Sequence, residues 1–335
     1  MATIRDVAKL AGVSVATISR FLNKNGYVNE DTKLKVEQAI KTLQYEPNAI
    51  ARGLAGRKTG TIALIFPDIT NPFFAELARA VEDVARMYGY TVILCNSDNQ
   101  ADKEQTYIKV LKQRYVDGIL FASYNLRSDD VEALKNEKIP LVMLDRAPRD
   151  ASCSVVSSKH LEGAQMAVQH LMDVGCKKIA HIYGPQETVT GRERLIGYEQ
   201  SVKHLPWYSP SLVEPGYFRV DGGMAAVENL MQRHPDIDGI FAGNDTMALG
   251  ALKKLQRMGL HVPDQVALCG FDGIDLTLIV EPEITTVSQP IYDMGMLSTR
   301  LLIKKIEGDI KEEQTHLFDV KLITRGSTER KRNDE

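Results

Sequence analysis

Four short stretches set acid and amide side chains beside arginine or phenylalanine: Asn71-Pro72-Phe73-Phe74, Asp145-Arg146, Asn244-Asp245 and Phe271-Asp272. With Arg194 and Gln289 they hold the chemistry needed to grip a hydroxyl-rich ring. A pyranose or furanose needs apolar surface against its C–H faces, which Phe73, Phe74 and Phe271 can supply. Its hydroxyls need fixed partners. Asp145 and Asp272 can each accept from two hydroxyls, while Asn71, Arg146, Arg194, Asn244 and Gln289 donate or bridge. Each residue also has a plainer use: Asn71, Asn244 and Asp272 stand where helix N-caps belong, and a Phe-Phe pair suits a core. Asp145 and Asp272 could also form the acid and base of a sugar-processing enzyme.

The elements that must position these residues are legible as apolar runs alternating with amphipathic helices. The runs are Ile62 to Phe66, Thr91 to Cys95, Gly118 to Ala122, Leu141 to Leu144, Ile179 to Tyr183, Gly239 to Ala242 and Val266 to Gly270. Such alternation predicts an α/β fold of doubly wound parallel sheets with helices on both faces. Ligands in these sheets bind beyond the C-terminal strand ends, which is where Asn71, Asp145, Asn244 and Asp272 follow their runs.

The N-terminus has a different pattern. Thr3 and Asp6 have the spacing of a capping box, and Ile4, Val7, Ala8 and Ala11 repeat at helical intervals before Gly12. Ser14 can cap a second short helix whose Ile18 and Leu22 face inward, leaving Ala16, Ser19, Arg20 and Asn23 on the other side. Asn29, Val36, Ala39, Ile40 and Leu43 outline a third helix that would close a three-helix head. The pattern reads as a helix-turn-helix whose exposed face suits a major groove, against the plainer reading of a helical hairpin with a solvated face. After Tyr45 and Pro47, the segment from Asn48 to Arg57 is a marginal helix with Gly53 inside it, too short to fold alone in water.

Charge follows the same division. Residues 1–58 carry 10 Lys and Arg against 5 Asp and Glu, whereas the remainder carries 31 against 39. A basic head on an acidic body is expected when one end meets phosphates. Cys95, Cys153, Cys176 and Cys269 are scattered and read as small buried apolar residues, and the seven histidines have no metal-ligand spacing, so no metal is expected. Phosphate-loop, dinucleotide, zinc-protease and nucleophile-elbow motifs are missing from the sequence, so no catalytic residue and no cofactor is expected. No apolar run is long enough to span a membrane, and Arg5, Asp6 and Lys9 stand where a signal peptide needs an apolar stretch, which predicts a cytoplasmic protein.

Asp6-Val7-Ala8, Ala11-Gly12-Val13-Ser14, Thr17-Ile18-Ser19-Arg20 and Tyr45-Glu46-Pro47-Asn48 resemble the DNA-binding head of the lactose/galactose repressor (LacI/GalR) family. The body resembles the periplasmic sugar-binding fold, ribose binders and ribose-type repressors above all. The resemblance rests on Thr70 to Phe74, Leu144-Asp145-Arg146, Arg192-Glu193-Arg194, Asn244 to Gly250, Gly270 to Gly273 and Gln289. It implies a homodimeric repressor on a pseudo-palindromic double-stranded operator, with ribose as inducer. DNA contacts would come from Thr3, Ser14, Val15, Ala16, Thr17, Ser19, Arg20, Asn23, Tyr45 and the hinge residues Asn48, Ala51 and Leu54. Sugar contacts would come from Asn71, Phe73, Phe74, Asp145, Arg146, Arg194, Asn244, Phe271, Asp272 and Gln289. The implied domains are a head at 1–47, a hinge at 48–58, a first lobe of 59–157 with 289–316, and a second of 158–288 with 317–330. The chain would pass between lobes near Ser157, Val287 and Leu317. Two departures bear on the sugar, Pro67 in place of a hydroxyl and Lys159 in place of an acid. Alternatives are a repressor of another sugar or a purine nucleoside, a corepressor-dependent regulator, a sugar enzyme with a DNA-binding head, and a transport component.

Overall fold

The computed structural model describes residues 2–22, 26–45, 58–113, 116–123, 128–145 and 152–330, in two compact units divided at Thr59 and Gly60. Asn23, Asn48, Ala51, Leu54 and Arg146, and with them the hinge segment up to Arg57, lie outside the described residues.

In the first unit, α1 (Ile4–Ala11) begins at a capping box: the Asp6 amide donates to Thr3 Oγ1 at 3.4 Å, and the Thr3 amide donates to Asp6 Oδ2 at 2.8 Å. Gly12 ends it with φ 66°, a left-handed turn that glycine takes without strain. Ser14 Oγ then accepts from the Thr17 amide at 3.1 Å to open α2 (Val15–Leu22). Asn29 accepts from the Thr32 amide at 2.8 Å to open α3 (Glu30–Leu43). Val7, Ala8, Ala11, Ile18, Val36 and Ala39 form the buried core, with Ile4, Leu22, Ile40, Leu43 and Tyr45 packed on it.

The second unit contains two six-stranded sheets. The strands of the first are β1 (Thr61–Phe66), β2 (Thr91–Asn96), β3 (Gly118–Phe121), β4 (Leu141–Leu144), β5 (Ser154–Ser158) and β11 (Thr315–Phe318). They lie in the order β11-β5-β4-β3-β1-β2, all parallel. The second sheet is β6 (Ile179–Tyr183), β7 (Val213–Pro215), β8 (Gly239–Ala242), β9 (Ala267–Asp272), β10 (Thr285–Ser288) and β12 (Lys321–Ile323), ordered β12-β10-β9-β8-β6-β7. Only β12 runs antiparallel to its neighbour.

Both faces of each sheet are buried, which is why the central strands are continuously apolar. In β1 the alternation assigns Ile62, Leu64 and Phe66 to one core and Ala63 and Ile65 to the other. The helices around the first sheet are α4 (Pro72–Met87), α5 (Ala101–Gln113), α6 (Ser128–Asn136) and α11 (Ile291–Glu307). Those around the second are α7 (His160–Asp173), α8 (Val189–Val202), α9 (Val220–Arg233) and α10 (Asp245–Arg257).

The chain passes between sheets three times, at Lys159, at Gln289–Pro290 and at Asp319–Val320. Each passage falls slightly later than the expected Ser157, Val287 and Leu317, because hydrogen-bonded pairing carries Ser158, Ser288 and Phe318 to the ends of their strands. Leu317 and Phe318 therefore pair in the first sheet, against their expected place in the second lobe. Lys159 Nζ and Asp319 Oδ1, on two of these passages, pair at 2.6 Å. All four cysteines are buried and free. Among the described residues no helix is long and apolar enough to cross a membrane, and no group of side chains is arranged to hold a metal ion.

Candidate functional site

The residues beyond the strand ends converge between the two sheets. Asp145 directly follows β4 at φ 61°, and Asp272 ends β9 at φ 119°. Non-glycine residues at such angles are strained and persist where the surroundings hold them, a condition that clusters at ligand sites. Asp145 is held by its amide donating to the Val156 carbonyl at 2.8 Å and by Ser157 Oγ donating to its own carbonyl at 3.0 Å. Asp272 is held by the Gln289 amide on its carbonyl at 2.9 Å and by Gln289 Nε2 on Oδ1 at 2.8 Å.

Asn71 and Asn244 do cap helices. Asn71 Oδ1 accepts from the Phe73 amide at 3.1 Å, with Pro72 at the first helical position, and Asn244 Oδ1 accepts from the Met247 amide at 2.9 Å. The cap occupies only the oxygen, so each amide nitrogen remains for another partner. Capping and ligand contact are thus compatible uses of one side chain. Asp272 caps nothing; its carboxylate is engaged by Arg194 and Gln289.

Arg194 on α8 is the electrostatic centre. Its Nη2 lies 3.1 Å from Asp272 Oδ1, its Nη1 donates to the Gly243 carbonyl at 2.5 Å, and its guanidinium covers the Phe271 ring at 3.8 Å. Its Nε is buried with no hydrogen-bond partner. A buried guanidinium N–H left in this way costs free energy that a ligand acceptor would recover. Behind Asp272, the fully buried Asp245 accepts from the Gly273 and Ile274 amides at 2.7 and 2.9 Å and from Thr286 Oγ1 at 2.6 Å, fixing the turn that aims Asp272. Burial, and then the charge of Asp272, pushes the Asp245 carboxyl above the usual range; burial pushes Asp272 up against the opposing pull of Arg194.

The cleft between the sheets is lined by Asn71, Phe73, Phe74, Asp145, Thr190, Arg194, Phe218, Asn244 and Asp272. Seven of these nine were expected. Phe271 and Gln289 lie one layer back, Phe271 beneath Arg194 and Gln289 against Asp272. Phe73 and Phe74 meet edge to face at 5.0 Å, so they serve as core and wall together. Of the two departures, Lys159 is paired with Asp319, and Pro67 is buried at the end of β1.

Four residues of this region are additions to the sequence reading: Thr190, Phe218, His160 and Asp245 in its supporting role. Phe218 sits at φ 59° in the turn after β7, facing Arg194 at 5.8 Å, and it fits only because Gly184 has no side chain. A Cβ there would lie 2.1 Å from the Phe218 ring. His160, 1% exposed, contacts both Asp145 and Arg194. Phe218 and His160 follow β7 and β5, which the apolar runs do not mark.

On the first unit, Ser14, Val15, Ala16 and Arg20 are exposed on one side of α2, with Thr17 and Ser19 half-buried among them. Thr3 is exposed with its hydroxyl bonded to Asp6 at 2.7 Å, and Tyr45 packs against the core. This is an apolar and cationic helix face of the kind that enters a major groove.

Residues 3–48 match the model of the bacterial regulatory proteins of the lacI family, and residues 59–329 match that of the periplasmic binding proteins and sugar-binding domain of the LacI family. The ribose operon repressor of Halalkalibacterium halodurans is 45% identical over 335 residues, all of this chain and 99% of that protein. A LacI-family regulator from Enterococcus faecium, solved with bound ribose, aligns over 80% of this chain and 98% of its own at 30% identity and a TM-score of 0.72. The lac repressor dimer bound to operator and the anti-inducer ONPF aligns over 98% of this chain and 99% of its own at 25% identity and a TM-score of 0.85. A helix-turn-helix head joined to a two-lobed sugar-binding body makes this chain a member of the LacI family, a DNA-binding transcriptional repressor without enzymatic activity.

Proposed function

We propose that the protein acts in the cytoplasm as a homodimeric repressor, that its two heads grip a pseudo-palindromic operator, and that ribose is the inducer that releases it. The observation that carries the choice of ligand is the composition of the cleft. Two buried carboxylates, two amides and one arginine line the cleft beside a phenylalanine wall. The polar residues of its lining outnumber the apolar ones, which suits a small neutral polyol. Arg194 is already paired with Asp272, so the described cleft offers no free cation for a phosphate. The ribose operon repressor and the ribose-bound regulator among its relatives support the same choice.

In this reading Asn71, Asp145, Arg146, Arg194, Asn244 and Asp272 contact sugar hydroxyls, and Phe73, Phe74 and Phe218 cover its carbons. Thr3, Ser14, Val15, Ala16, Thr17, Ser19, Arg20, Asn23 and Tyr45 meet DNA, and Asn48, Ala51 and Leu54 contact the minor groove. Phe271 and Gln289 support the pocket from behind.

Calorimetry of the protein against ribose, other pentoses, hexoses and a purine nucleoside, with and without operator DNA, tests this reading. Ribose should bind most tightly, and operator should weaken its binding by the same factor that ribose weakens operator binding, typically about 5- to 150-fold. Tighter ribose binding in the presence of operator would make ribose a corepressor and overturn the inducer assignment.

A further inference from the structure

His160 opens α7 just past the first passage between the sheets, and it touches both lobes. Its Nε2 lies 3.3 Å from Asp145 Oδ1, at the end of β4, and 3.3 Å from Ser157 Oγ. Its Nδ1 lies 3.3 Å from Nη2 of Arg194, on α8. A guanidinium only donates, so Nδ1 accepts and the ring proton sits on Nε2, bonded to Ser157 Oγ with Asp145 Oδ1 in close contact beside it. The same Nη2 reaches Asp272 Oδ1 at 3.1 Å. Close polar contacts therefore run from Asp145 through His160 and Arg194 to Asp272 across the cleft. The ring also packs on Phe271 with centroids 5.9 Å apart, which fixes its plane.

We propose that His160 is a positioning residue for sugar recognition: it sets the spacing and orientation of Asp145 on one lobe and Arg194 on the other, so that both meet the same ligand. This rests on the cleft being the sugar site. Contacts of 3.3 Å are at the long edge of hydrogen bonding, so the ring's contribution is orientation rather than bond strength. Removing it therefore loosens the ligand geometry while leaving the fold intact. A ring at a passage between lobes suits this task, because it moves little when the lobes do.

The two ring nitrogens can be removed separately. The His160→Asn side chain reaches the Nδ1 position and keeps an acceptor for Arg194 while losing Asp145; His160→Gln reaches the Nε2 position and does the reverse. In the full-length protein, each variant should bind ribose about tenfold more weakly, because Asp145 or Arg194 loses the ring that orients it toward the sugar. Operator affinity without sugar and the thermal midpoint should stay at wild-type values. In a double-mutant cycle with Asp145→Asn, the second substitution should cost less in the His160→Gln-free background of His160→Asn than in wild type, because the contact is already gone. Ribose affinity within twofold of wild type for both variants, or a fully additive cycle, would overturn the proposal. So would a parallel fall in operator affinity and thermal midpoint, which would assign His160 to the fold. If wild type binds another sugar of the panel and not ribose, the ribose assignment fails and the same cycle is read with that sugar; if it binds none, both proposals fall.

Discussion

The guanidinium carbon of Arg194 sits over the ring of Phe271, 3.8 Å from its centroid. This contact holds the arginine plane while its edge serves Asp272 and the Gly243 carbonyl. A lysine could supply the charge but neither the plane nor the fork. Arg194→Lys should therefore lower ribose affinity at least tenfold, about 1.4 kcal/mol or more, with operator binding retained. Titration calorimetry reads the first and a gel shift the second; near-wild-type ribose binding would show that charge alone suffices.

Gly184 makes a sharper prediction because nothing about it is polar. A methyl group there would press into the Phe218 ring and drive it from its place beside the cleft. Gly184→Ala should weaken ribose binding several-fold without affecting the head. Restoring affinity with Gly184→Ala plus Phe218→Leu, by making room, would confirm that the effect passes through the ring; failure of that rescue would assign it to the backbone.

Legibility in the sequence followed the strength of the apolar pattern. The runs Leu141 to Leu144, Ile179 to Tyr183 and Gly239 to Ala242 coincide with β4, β6 and β8, because strands buried on both faces must be apolar throughout. The polar strand β5, the Pro-containing β7, and β10, β11 and β12 near the passages do not give such runs. The site residues depend on the same distinction. Asp145 follows and Asp272 ends a legible strand, and both were expected. His160 and Phe218 follow β5 and β7, so the rule of inspecting strand ends did not reach them. The demotion of Phe271 has another cause: sequence spacing cannot tell whether an aromatic ring faces a ligand or lies under an arginine that does.

Arg20 is exposed on α2 next to Val15 and Ala16, where its fork can reach the O6 and N7 of a guanine. Arg20→Ala should cost about 1–3 kcal/mol of operator affinity and relax preference at one base pair of each half-site. Binding-site selection with both proteins checks this; an unchanged preferred sequence would remove Arg20 from base readout.

The last prediction concerns pH. His181 is buried in β6, its Nδ1 bonded to the Phe241 carbonyl at 2.9 Å and its ring stacked between Tyr198 and Phe241. Burial pushes its pKa down to about 3, from an ordinary value near 6.5. In the folded protein the ring therefore stays neutral at pH values where the unfolded chain has bound a proton. A depressed histidine pKa contributes stability that is complete above about 6.5 and is lost as pH falls toward 3, with a slope of up to about 1.4 kcal/mol per pH unit. His181→Gln removes the titrating group, so its stability should depend on pH between 6 and 4 by close to one proton less than that of wild type. Denaturant melts at pH 6, 5 and 4 compare the two directly; parallel pH profiles would show that His181 gains its proton without unfolding.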